Sequence, residues 1–345
     1  MRIGVVPFSS DPLHVVRRWR YDVLIRQARQ AGHSAAYYRD GEEYDVVVSS
    51  LATENIGVFR RIVRRAIPVI GDITDNLLTF PFSNYIPPGQ LYYRLKFAFN
   101  GRFRIFEEML GNSSCIVSGS DVQRELFLPY NHDVARITDA VTPDILDFRA
   151  RYENTGCCRL AWCGNVSSLH GFRETGNALD RLAAAGSYEL VLVTSDYVQG
   201  RYLGARPRTV HEFIAGRNIR CRWVPWSYEG MLKELAACDI GIVPADIKDP
   251  FVAAKPSGRA LLMMGMGLPV VTGPLASYIA DIPPGAGFIA RTPQDWVSII
   301  GRLAADHELR QAVGRKARET VEAGFSERMF GAKYLEVLKR FEKQL

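Results

Sequence analysis

The stretch LAACDIGIVPADIKDPFVAAKPSGRALLMMGMGLPVVTGPLASY, residues 235–278, decides how this chain folds. DIGIVPA (239–245) is a short apolar run closed by a proline, the pattern of a strand buried on both faces. After Pro244 the chain opens into a loop carrying Asp246 and Asp249. Lys255, Ser257, Gly258 and Arg259 follow at the start of a helix that runs through Ala260–Met266 and stops at Gly267-Leu268-Pro269. LPVVTG (268–273) is the next buried strand. Lys255 and Arg259 are four residues apart, so they share one face of a helix N-terminus whose unpaired N–H groups favour anions. Two cations and a helix dipole make a clamp for a diphosphate. The same spacing also fits two exposed cations at a loop–helix junction.

Outward from this unit the alternation recurs. IGVVPF (3–8), YDVVVSS (44–50), IPVIGDI (67–73), SCIVSGS (114–120), RLAWCGN (159–165), ELVLVTS (189–195), IRCRWVP (219–225) and GFIAR (287–291) are each followed by a turn. Continuous apolar strands alternating with helices make the chain α/β, with parallel sheets covered on both faces. TDAVTPDILDFRARYENTG (138–156) is polar and breaks the rhythm, and a fresh series begins at Arg159. Two doubly wound, Rossmann-like domains are therefore expected, residues 1–150 and 151–325, facing across a cleft at the C-terminal ends of their strands. ERMFGAKYLEVLKRFEKQL (327–345) reads as an amphipathic helix with Phe330, Tyr334, Leu338 and Phe341 on one stripe. Residues 326–345 thus form a separate terminal element whose stripe can pack back on the first domain.

At 345 residues the chain exceeds what a single core usually serves. A composition of 47% hydrophobic and 23% charged residues excludes a disordered or fibrous chain. No apolar run approaches the roughly 18–20 residues of a membrane span, and MRIGVVPFSSDP (1–12) turns polar too soon for a secretory signal. The six cysteines, at 115, 157, 158, 163, 221 and 238, form no C-x-x-C pair and read as buried reduced thiols of a cytoplasmic protein. Forty-three basic against 37 acidic residues give a net charge of +6, which favours an anionic partner. That near balance, without a recognition motif, argues against nucleic acid. Taken as a helix, VFRRIVRRA (58–66) turns Val58, Ile62 and Ala66 inward and its arginines outward, either as a solvated face or as one that meets anionic lipid.

Residues 235–278 resemble the donor-binding domain of GT-B glycosyltransferases, in particular the family 4-like enzymes of bacterial polysaccharide assembly. Many of those read approximately D-P-F-N-x-A-K-S-x-x-K-x-x-E-Y-x-A-x-G-x-P-V-V. The matching residues here are Asp249, Pro250, Phe251, Ala254, Lys255, Arg259, Gly267, Pro269, Val270 and Val271. AWCGNVSSLHGF (161–172) is similar to the family's first strand of that domain and its G-R-x-x-x-x-K-G loop. Gly164 and Gly171 match there, with Asn165 where arginine is usual and His170 where lysine is usual. VIGDITDNLL (69–78) and 118–144 resemble family segments of the first domain more loosely. Two family glutamates are absent. Leu262 stands where one would bind the ribose hydroxyls, and Ala254 where the other would face the donor sugar. A leucine accepts no hydrogen bond.

The resemblance implies a GT-B enzyme that moves a sugar from a nucleotide-sugar to a saccharide or lipid-linked acceptor hydroxyl, with retention, in cell-surface polysaccharide synthesis. The alternative, which Leu262 and Ala254 suggest, is an inactive GT-B domain kept for binding or scaffolding. No cofactor or metal is expected, since cationic side chains and a helix N-terminus can stabilise a departing phosphate. The expected nucleotide-binding set is Gly164, Asn165, Trp226, Lys255, Ser257 and Arg259, with Lys255 and Arg259 on the phosphates and Trp226 stacked on the base. Core packing fits Trp226 equally well. Asp249 would contact the donor sugar, or else cap its loop. His170 would reach the phosphates or the reacting centre, or else serve as a structural hydrogen-bonder. Asp72 and Asp75 close a strand on the cleft side and read equally as acceptor-binding or basic groups and as caps. Arg94, Lys96, Arg102 and Arg104 lie in a Phe- and Tyr-rich segment that fits an acceptor- or lipid-facing surface, with helix packing as the default. The cytoplasm, with peripheral contact on the inner face of the cell membrane, is the expected location.

Overall fold

The structure, a computed structural model, describes residues 1–80, 101–153, 156–196 and 209–342. Arg94 and Lys96 lie outside the described residues. Six parallel strands, β1 (Arg2–Val6), β2 (Ser34–Tyr37), β3 (Val46–Ser50), β4 (Val69–Ile73), β5 (Cys115–Ser118) and β6 (Val134–Arg136), form a first sheet in the order β2-β1-β3-β4-β5-β6. The second sheet holds β7 (Cys158–Cys163), β8 (Tyr188–Thr194), β9 (Arg220–Pro225), β10 (Ile240–Val243), β11 (Val270–Thr272) and β12 (Phe288–Ile289), in the order β12-β11-β10-β7-β8-β9. All the pairings are parallel. The fold is α/β, two doubly wound sheets.

The central strands are buried along their whole length, every residue of β3, β4, β5 and β10 included. This burial is why they read as unbroken apolar runs. The two strands that the apolar runs do not announce, SAAY and VAR, are β2 and β6, at opposite edges of the first sheet. An edge strand of three or four residues, partly covered, needs no continuous β-branched run.

Both orders have a switch point, where neighbouring strands send their connections to opposite faces and leave a crevice. In the first sheet it lies between β1 and β3, and in the second between β7 and β10. The chain passes between the sheets twice, and the two passages touch: the Val141 N–H donates to the Phe325 carbonyl at 2.8 Å. The helix Glu327–Lys339 then buries Phe330, Tyr334, Val337 and Leu338 in the same cluster as Val5, Val48, Ile70 and Val117 of the first sheet.

Helix Ile56–Arg64 turns Phe59 and Ile62 inward. Val58 is only partly covered and Ala66 lies beyond the helix with φ at +53°, so of the expected stripe Ile62 is the member that is buried, with Phe59 taking the place of Val58. Two of the arginines on this helix face carboxylates, Arg60 with Glu108 at 2.6 Å and Arg61 with Asp40 at 3.1 Å. No helix among the described residues is long and apolar enough to cross a membrane.

Candidate functional site

The chain after several strands of each sheet runs into one cleft of about 690 Å³ between the sheets. From the first domain come Phe8, Asp11, Leu13 and His14 after β1, Thr74 and Asp75 after β4, and Asp139 beyond β6. From the second come Gly164, Asn165 and His170 after β7, Ser195 after β8, Trp226 after β9, and Pro244, Ala245 and Asp246 after β10. Lys255, Gly258, Arg259 and Leu262 add the start of the helix Gly258–Gly265. The cleft therefore spans the β7/β10 crevice.

Arg259 closes over that crevice. Gly164 has φ near +155°, and a Cβ there would lie 2.8 Å from Arg259 Nη2 and 3.3 Å from Trp162. Only a residue without a side chain lets the guanidinium come down on the end of β7. Arg259 also stands 5.3 Å from the Trp162 ring centroid, a cation–π contact. Among the described residues no carboxylate pairs with it. Arg259 and the first residue of its helix, Gly258, line the same cleft, an arrangement that suits an anion. Gly171 lets the turn after β7 pack against the chain leaving β10: a Cβ there would meet the Pro244 carbonyl oxygen at 2.8 Å.

Lys255 reaches across the cleft to form an ion pair with Asp75. Asn165 lines the cleft and caps the turn Val166–Gly171, its Oδ1 accepting from the Ser167 N–H at 2.9 Å. The His170 Nδ1 lies 2.6 Å from the Ser167 carbonyl, which can only accept, so Nδ1 carries the proton. Trp226 lines the cleft with 42% of its surface exposed, which rules out core packing and keeps the base-stacking alternative.

Three expected site residues lie elsewhere. Asp249 is fully buried and caps the short helix Pro250–Ala253, its Oδ1 accepting from Phe251 N–H at 2.9 Å and Val252 N–H at 3.3 Å. Its capping reading holds, and the carboxylate of that loop which lines the cleft is Asp246. Asp72 points beneath the cleft, where Arg20 binds it through two N–H groups at 2.9 and 3.1 Å and the Tyr334 hydroxyl donates to it. Arg20 also reaches the Ile137 carbonyl at 3.0 Å and Asp139 at 2.8 Å. Burial lowers the Arg20 pKa, but Asp72 and Asp139 outweigh it and hold the guanidinium charged. The group fastens β4, the π-helical turn Arg17–Asp22 and the crossover together. Ser257 is also buried, its hydroxyl donating to Asp281, which in turn takes Arg136 of β6 at 2.6 Å.

Ala254 is buried away from the cleft, with its carbonyl accepting from the Ser120 hydroxyl at 2.8 Å. Leu262 lines the cleft as an apolar wall. The first-domain residues Phe8, Leu13 and His14 escape sequence reading because FSSDPLH carries no regular period. Burial lowers the His14 pKa, with Asp11 and Asp75 pulling the other way, so the imidazole is neutral at pH 7. Arg102 pairs with Glu54 at 3.1 Å. Among the described residues no three His, Cys, Asp or Glu converge as metal ligands.

No protein-family model matches the chain, and no curated protein matches it in sequence. Solved structures match its fold. HepE from Anabaena, in complex with UDP and glucose, is 14% identical, with a TM-score of 0.69 over 98% of this chain and 99% of its own. A glycosyltransferase from Rickettsia africae ESF-5 is 15% identical, with a TM-score of 0.64 over 99% of this chain and 98% of its own. The fold is GT-B. Sucrose-phosphate synthase from Thermosynechococcus elongatus, at 16% identity and a TM-score of 0.63, covers 96% of this chain with 82% of its own. In this GT-B chain the cleft brings together, among the described residues, loops from both sheets, two cations and the start of a helix.

Proposed function

We propose that the protein is a glycosyltransferase that moves a sugar from a nucleoside-diphosphate sugar to an acceptor hydroxyl. The observation that carries this reading is Arg259 lying over Gly164 beside the helix N-terminus, at the crevice where doubly wound sheets take nucleotides. The leaving group of such a transfer is a nucleoside diphosphate, whose growing negative charge fixed donors stabilise without reorganising. Arg259, Lys255 and the first N–H groups of the helix Gly258–Gly265 would take the two phosphates, and Trp226 would stack on the base. Asp246, rather than Asp249, is the loop carboxylate within reach of the donor sugar.

For the acceptor, Phe8 and Leu13 are exposed and line the same cleft, which favours a partner with apolar surface, either a sugar's C–H face or a lipid-linked saccharide. His14, neutral and beside Phe8 at 5.4 Å between ring centroids, stands where an acceptor hydroxyl would enter. Retention of configuration, a role in cell-surface polysaccharide synthesis and peripheral membrane contact are carried forward from the sequence resemblance.

The test is calorimetric titration with UDP, the nucleotide bound by HepE, alongside GDP, CDP, ADP and dTDP. Micromolar binding of one of them, followed by acceptor-dependent release of that nucleotide from its sugar form, is the expected result. Absence of binding by any of the five would refute it. A second reading, a domain that binds nucleotide without turnover, is favoured by the apolar Leu262 wall, which offers a ribose no acceptor. Tight binding with no release against any acceptor would decide for it.

A further inference from the structure

The loop that carries Lys255 belongs to the second domain but is pinned by the first at three successive residues. The Ala254 carbonyl accepts from the Ser120 hydroxyl at 2.8 Å. Lys255 pairs with Asp75, the second residue after β4. Pro256 packs on Gly119 so closely that a Cβ added there would sit 3.0 Å from the Pro256 Cβ. The Lys255 ammonium also rests 4.2 Å from the Phe251 ring centroid. Both members of the ion pair line the cleft, and their side chains are 31% and 47% exposed. The two cations of the site are thus in different states. Arg259 faces the crevice with no carboxylate on it among the described residues, whereas Lys255 is neutralised by an anion that the protein itself supplies.

We propose that Asp75 is a specificity-determining residue for the donor's leaving group, a built-in anion that occupies Lys255 until a second phosphate displaces it. The inference rests on the nucleotide reading above. A ligand with a single phosphate fills the place beneath Arg259 and leaves the Lys255–Asp75 pair intact, so it gains nothing from Lys255. A diphosphate brings a second phosphate within reach of the same ammonium. It carries more negative charge than one carboxylate and offers several acceptor oxygens. The exchange therefore favours the diphosphate, less the strength of the pair it breaks. A pair this exposed is weak enough to yield. The carboxylate that leaves Lys255 stays in the cleft on the acceptor side, so the step that seats the donor also frees an anionic group there.

The experiment is calorimetric titration of wild type, Asp75→Asn, Lys255→Ala and the double variant with UDP and with UMP. Asp75→Asn keeps the size of the side chain and removes its charge. It is expected to bind UDP about two- to fivefold more tightly than wild type, the reciprocal of an exposed pair's strength. UMP affinity should stay within about 1.5-fold, since no pair is broken to admit it. In the Lys255→Ala background the effect of Asp75→Asn on UDP should vanish, which a general loosening of the cleft would not produce. Wild type that binds UDP, with Asp75→Asn no tighter, overturns the proposal and leaves the nucleotide reading standing. Equal tightening of UDP and UMP also overturns it, because the carboxylate would then repel any anion. If wild type binds none of the nucleoside diphosphates, the nucleotide reading fails and this inference with it.

Discussion

Replacing Arg259 with alanine separates the phosphate site from everything that merely holds the fold. The guanidinium is half-buried, lies on Gly164 and Trp162, and has no carboxylate partner among the described residues. Its removal leaves no anion stranded, so the loss of stability is the cation–π contact, about 0.5–1 kcal/mol. Its loss from a bound diphosphate is larger. A hydrogen bond to a charged group is worth about 1.5–3 kcal/mol, which raises the Kd for UDP roughly 10- to 150-fold. Arg259→Lys keeps the charge but not the planar fork and should fall between. Lys255→Ala should weaken UDP by only about three- to tenfold, because part of that cation's attraction is already taken by Asp75. Calorimetry supplies the Kd values. A thermal shift with UDP checks them, since a ligand of the native state raises its apparent stability in proportion to RT ln(1 + [L]/Kd). Arg259→Ala binding within about twofold of wild type would refute the clamp, as would a larger loss from Lys255→Ala than from Arg259→Ala.

Three further outcomes follow from the geometry. Arg20→Ala strands Asp72 in the interior and should lower unfolding free energy by about 3–5 kcal/mol in urea melts, far more than the isosteric Asp72→Asn paired with Arg20→Met. Gly171→Ala drives a methyl against the Pro244 carbonyl, so it should lose about 1–3 kcal/mol of stability and weaken UDP by widening the β7/β10 crevice. Burial depresses the His14 pKa below the ordinary 6.5, so the unfolded chain takes up that proton first. The His14 contribution to stability is therefore intact above pH 6.5 and lost as pH falls below it. Urea midpoints should drop less between pH 7 and 5.5 for His14→Gln than for wild type; an identical drop would disprove it.

Much of the candidate site's lining was legible for one reason: it sits where strands end. Gly164, Asn165, His170, Trp226, Lys255 and Arg259 all line the cleft, and each follows a strand or opens a helix that apolar periodicity already marks. Asp249, Asp72 and Ser257 misled because a carboxylate or hydroxyl at a strand end looks the same whether it faces a ligand or a helix terminus. Only the direction of one side chain separates the two. Asp246, three residues from Asp249, is the loop carboxylate at the cleft, a distinction no spacing rule makes.

By itself the sequence determined the central strands, the two parallel sheets and the helix start that carries Lys255 and Arg259. These follow from local periodicity and from glycine and proline stops, which act over a few residues. Only the tertiary structure decided which charges meet. Arg20 with Asp72, Lys255 with Asp75 and Arg136 with Asp281 join residues 52, 180 and 145 positions apart. Coulomb attraction depends on distance in space, and a linear chain does not record it until the two sheets face each other.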